Sequence, residues 1–183
     1  MSAWINDPAI RPVSKLLEYF RNNHVYFERT RHMNGAGARY ILHVHCAVAV
    51  VRYMSGQLQE LYEEYQILPN GKRIERHLTF NGLAETLNHN GVPELTDEAC
   101  HRLLVEELGQ TQPLFKEQVG YQLFHLKDEL MGPMLNDKWP VLCIFHRSEW
   151  ESQIPHGSPL YIPSGYKETK KDGTVIKFSW KDI

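Results

Sequence analysis

From Ala38 to Leu68 the chain carries an apolar series that reads with two periods at once. Val44, Ala47, Val51, Met54, Leu58, Leu61, Tyr65 and Leu68 recur three or four residues apart, as on the buried stripe of a helix. Tyr40, Leu42, Val44, Cys46, Val48 and Val50 alternate, as in a half-buried strand, and valine is frequent among them. Gln57, Glu60, Glu63 and Glu64 favour helix over 57–66 on propensity. The helical reading is preferred back over 40–53 as well, with Ser55-Gly56 as a break. A helical 44–68 would serve as an intramolecular core or as the seam of an oligomer.

The flanking segments have local signals of their own. Asp7-Pro8 offers an N-cap and a proline at the first helical position, so a helix runs to Asn22-Asn23. His24 to Arg31 is rich in strand formers and reads as extended. Pro69-Asn70-Gly71 is a turn that closes a short hairpin between 65–68 and 73–78. Helices follow over 79–90, over 96–109 behind Thr96-Asp97-Glu98, and from Pro113 to near Gly132. Trp139 to His146 reads as a buried strand, and 152–164 as a loop. Lys170 to Gly173 joins 165–169 to 174–180 in a hairpin.

The order predicts an α+β fold: a mostly helical single domain with short antiparallel strands and a C-terminal β-hairpin. The main domain spans 1–152, with the loop and hairpin of 153–183 packed on it. The helices at 79–90 and 96–109 make it winged-helix-like. Leu83 to Pro93, LAETLNHNGVP, resembles locally the helical linker of serine recombinases. The resemblance covers about a tenth of the chain. Asp97, Glu98, Glu106 and Glu107 against Arg102 give the would-be recognition helix the wrong sign for phosphates, so no recombinase activity is carried over.

Composition narrows the function. Lys and Arg total 20 against 22 Asp and Glu, which argues against a strongly basic nucleic-acid binder. Residues 1–52 nonetheless hold seven basic and three acidic groups. Cys46, Cys100 and Cys143 form no metal knuckle or redox pair and read as buried thiols in a reducing compartment. No apolar run reaches the roughly 18–20 residues that span a bilayer, and the start lacks a secretory pattern. The expectation is a soluble, cytoplasmic protein without a membrane partner.

No nucleophile elbow, P-loop or dinucleotide fingerprint is present. The sharpest short motif is His43-Val44-His45. On a strand both imidazoles point to one face and can hold a divalent metal, as in rolling-circle nucleases, with His77 or a carboxylate completing the shell. On a helix they stand about 200° apart and cannot share an ion. Tyr166, the attacking tyrosine such a nuclease would need, falls on a hairpin arm. His125 and Glu129, four apart, are a weaker ligand pair or a surface pair.

With the helical reading preferred, the leading function is a non-catalytic interaction module within a larger protein assembly. Its partner face is the basic N-terminal surface of Arg29, Arg31 and Arg39 with Tyr26, and no cofactor is expected. The alternative is a metal-dependent hydrolase or nuclease using the His-Val-His pair. A second alternative is a single-stranded nucleic-acid binder, in which interleaved arginines and aromatics stack on bases.

Overall fold

The computed structural model describes residues 13–31, 38–54, 56–108, 120–135 and 141–183. These residues form two helices, α1 (Val13–Asn22) and α2 (Thr96–Leu108). The strands are β1 (Val25–Arg31), β2 (Ala38–Met54), β3 (Leu58–Ile67), β4 (Arg73–Thr79), β5 (Gly82–Glu85), β6 (Asn88–His89) and β7 (Val92–Pro93). Four more follow α2: β8 (Gln122–Leu135), β9 (Leu142–Pro155), β10 (Tyr166–Thr169) and β11 (Val175–Asp182). The fold is therefore dominated by sheet, which corrects the mostly helical, winged-helix-like α+β expectation.

The correction has one main source, β2. Leu42 to Val44, Cys46 to Ala49 and Val51 are buried, so residues on both faces of the strand are covered. A strand buried on both faces reads as a near-continuous apolar run, and such a run satisfies a helical period by accident. The β-branched valines then favour the extended chain. The helix on which a 44–68 seam would have run is replaced by β2 and β3.

β3 overturns the helix expected over 57–66. Its glutamates find partners on strands far away in sequence: Glu63 meets Arg76 at 3.2 Å, and Glu64 accepts from Ser179 at 2.5 Å. Pairing with β11 and β4 outweighs a helix propensity worth tenths of a kcal/mol per residue. The helix expected over 79–90 is replaced by β5 and β6, which removes the first half of the helix-turn-helix reading. The one expected from Pro113 is replaced over 122–135 by β8; residues 113–119 lie outside the described residues, as do 8–12.

Other expectations coincide with the structure. β1 stands at 25–31, the turn after Leu68 joins β3 to β4, and the final hairpin is β10–β11. At that hairpin's entrance Gly165 has φ +71°, and a Cβ there would collide with the Phe178 carbonyl. α2 starts where Thr96 was expected to begin it. Glu98 accepts from the Leu95 backbone N–H at 3.0 Å, the returning half of a capping box.

The chain divides into two compact units. The first holds the described residues up to Ala47, Glu85–Ala99 and Asp128–Ser148; the second holds Val48–Ala84, the described part of Cys100–Lys127, and Glu149–Ile183. In the first unit β1 runs antiparallel to the start of β2, from Val25 opposite Val44 to Arg31 opposite Ala38. Leu42, Val44 and Cys143 form its core, with Tyr19 and Phe20 of α1 packed against them. Asn23 closes α1 by donating from its side chain to the Tyr19 carbonyl at 3.0 Å. In the second unit β3 pairs with β11, β4 and the end of β2. Phe80 and Phe178 meet edge to face in its core, 5.4 Å between centroids.

Candidate functional site

The extended conformation of β2 puts His43 and His45 on one face of the strand, because side chains repeat with period two. β1 brings Tyr26 directly opposite His43, and the two rings stack at 4.5 Å. Glu28, two residues on, shares that face. His24 stacks on His45 at 4.1 Å. From β9, His146 stacks on the other side of His45 at 4.2 Å. Four imidazoles, a phenol and a carboxylate thus gather within the first unit.

Two hydrogen bonds thread this group. His43 Nε2 stands 2.9 Å from a Glu28 carboxylate oxygen. His43 Nδ1 stands 2.8 Å from His146 Nε2. The line runs from the 55% exposed Glu28 side chain, through His43, to His146. His146 in turn lines a cavity of about 280 Å³ with His45, Asp128, Glu129, Arg147 and Ser148. Ser148 donates to Asp128 at 2.6 Å, and the Arg147 guanidinium reaches the Met131 sulfur at 3.7 Å.

The electrostatics keep His45 and His146 uncharged. Burial, then the neighbouring His24, His146 and His43, lowers the His45 pKa to about 4. Burial, then His43 and His24, also holds His146 below the usual imidazole value. Both are therefore neutral near pH 7 and carry a free lone pair. The His45 Nε2 atom is buried with no hydrogen-bond partner. A buried polar atom left unsatisfied costs about 1–3 kcal/mol.

These imidazoles bind one another. Two nitrogens on one tetrahedral zinc stand about 3.3 Å apart, given bonds near 2.0 Å. The His43–His146 separation of 2.8 Å is a hydrogen bond instead. Among the described residues, no group of three or more His, Cys, Asp or Glu is arranged to hold a metal ion. His77 lies on β4 in the second unit, exposed, 3.7 Å from Glu75.

The partner face divides. Tyr26 belongs to the histidine cluster. Arg29 is exposed and opposite Tyr40; Arg31 and Arg39 are opposite Ala38 and Thr30 along the backbone, and their side chains lie outside what is described. His125 lies on a strand, its ring edge-on to Trp150 at 4.9 Å, without the helical turn that would bring Glu129 beside it. Tyr166 is buried and its hydroxyl donates to the Leu160 carbonyl, which removes it as a nucleophile. All three cysteines are buried and none forms a disulfide.

Three members of the cluster, His24, Glu28 and His146, have no role in the sequence reading. A signal for them exists: His24, just before β1, alternates with Tyr26 and Glu28, and His146 alternates with Ser148 along β9. Among the described residues no helix is long and apolar enough to cross a membrane.

No protein-family model matches the chain, and no curated protein does. Among solved structures, the NUDIX domain of Shewanella oneidensis NrtR, complexed with ADP-ribose, is similar at a TM-score of 0.40 and 11% identity. The match covers 91% of this chain and 82% of that one. A likeness this slight carries no argument about the present chain.

Proposed function

We propose that the chain is a hydrolase whose acid–base group is His146, backed by His43 and Glu28. The observation that carries this reading is the unbroken carboxylate–imidazole–imidazole line, at 2.9 and 2.8 Å, that ends at a cavity wall. His146 is neutral near pH 7 and so able to take a proton. A water in the cavity would give its proton to His146 as its oxygen attacks an acyl or phosphoryl centre. The proton would then pass from His146 to the leaving group as that bond breaks, returning the imidazole to its starting state. Arg147 supplies positive charge at the same wall for the oxygen on which charge develops. No step of this reading runs through a metal.

The test is turnover on a panel of activated carboxylic and phosphoric esters. His146→Ala should lower kcat by about 100-fold or more, the usual worth of a positioned acid–base group. His77→Ala, in the other unit, should leave turnover unchanged. Equal turnover by wild type and His146→Ala would remove the reading. Near-stoichiometric zinc or manganese in the purified protein, lost in His45→Ala, would replace it by the metal-dependent form.

Exposed Phe27 and Tyr40, with Arg29 opposite Tyr40, favour a second reading: a partner-binding face on β1 and β2. It predicts that Arg29→Glu weakens binding to a partner protein that co-purifies with the wild type; unchanged binding would dismiss this face.

A further inference from the structure

The hydrogen bonds at His43 determine which atom of His146 is basic. An ionised carboxylate can only accept, so the proton of the Glu28–His43 bond sits on His43 Nε2. In neutral His43 the other ring nitrogen, Nδ1, is then bare and must accept. His146 Nε2, 2.8 Å away, is left as the donor of that bond. In neutral His146 the bare nitrogen is therefore Nδ1. Each assignment follows from the one before it, and the chain of choices starts at a single exposed carboxylate.

We propose that Glu28 is the positioning residue of the site: it holds His43, and through it His146, in the Nε2–H form, so that His146 Nδ1 is the basic atom. This rests on the hydrolase reading and names the atom that would take the proton. Glu28 touches neither cavity nor substrate; it acts through His43. The groups facing the pair are Tyr26 stacked on His43, His45 stacked on His146, and His24 beyond His45. None of the described contacts gives His43 Nε2 an acceptor other than Glu28. Tyr26 meets His43 through its ring face, so it leaves the in-plane nitrogens to Glu28 and His146.

The experiment uses resting protein with ¹⁵N-labelled histidine, without substrate, at a pH where the imidazoles are neutral. Proton-detected ¹⁵N spectra give the tautomer of each ring, and a ¹⁵N–¹⁵N coupling across the hydrogen bond identifies the His43–His146 pair. The expected result is a proton on Nε2 of both rings and a coupling between His146 Nε2 and His43 Nδ1. In Glu28→Ala, a change at a side chain 55% exposed, the coupling should weaken and Nδ1–H forms should appear on both rings. If turnover is found, the same variant should lower kcat with KM little changed. A proton on His43 Nδ1 in the wild type would overturn the proposal, as would identical tautomers in wild type and Glu28→Ala. The expected tautomers without any ester turnover would instead count against the hydrolase reading and leave this assignment standing.

Discussion

Two part-buried polar clusters, one in each unit, differ in how completely they are satisfied. In the second unit Arg52 pairs with Glu151 and, at 3.3 Å, with Glu60. Thr79 completes Glu60 at 2.9 Å, and Gln153 donates to Glu151. Opposite charges meet and the carboxylates have several donors, which is how a buried ionic group persists in a fold. In the first unit His45 and His146 are neutral near pH 7 and stacked on each other, the His45 Nε2 atom has no hydrogen-bond partner, and a cavity opens beside them. The closed cluster has the character of architecture. The open one has the character of a site, because natural folds concentrate their broken local rules where they do chemistry.

Substitution is the sharpest way to break this comparison. Arg52→Met should strand Glu60 and Glu151 and lower stability by about 3 kcal/mol, read by urea unfolding. His45→Leu removes an orphaned buried atom, so stability should change by less than about 1 kcal/mol or rise. If His45→Leu instead costs as much as Arg52→Met, the first cluster is as structural as the second.

Titration should separate the units in opposite directions. The His45 pKa falls from 6.5 unfolded to about 4 folded, so the folded state disfavours the proton. Stability from this group is full above pH 6.5 and is lost as pH falls toward about 4. Glu107 in the second unit behaves inversely. Burial, then Glu168, raises its pKa from 4.5 to about 7, so its neutral form is favoured. That contribution is full below pH 4.5 and is lost as pH rises to about 7. Melting temperature against pH should therefore lose part of its acid slope in His45→Leu, the rest remaining with His146. The neutral-side slope is the one that Glu107→Gln should flatten. A common response of both variants over one pH range would contradict the separation.

How much of this was legible in the sequence depends on the reach of each signal. α2 is set by neighbours within one turn, Leu95 and Glu98, and was readable. The β3–β4 and β10–β11 turns are equally local. β2 carried both periods, and the deciding facts, pairing with β1 and burial on both faces, come from residues elsewhere in the chain. β3 misleads because its glutamates look like helix formers until Arg76 and Ser179 are beside them. Of the site, His43-Val44-His45 stood out, and its common face was correctly conditional on a strand. Its partners did not, because a register that sets Val25 against Val44 is invisible to spacing along one segment.

The most direct test of the central claim is kcat/KM of the wild type against pH on whichever ester of the panel is turned over. A neutral His146 acting as base predicts a plateau around neutral pH and a fall on the acid side as the imidazole takes a proton. The residual activity of His146→Ala should lack that acid limb. An activity that is flat across the acid range, or an acid limb that survives in His146→Ala, would contradict the assignment of His146 and return the cluster to a structural role.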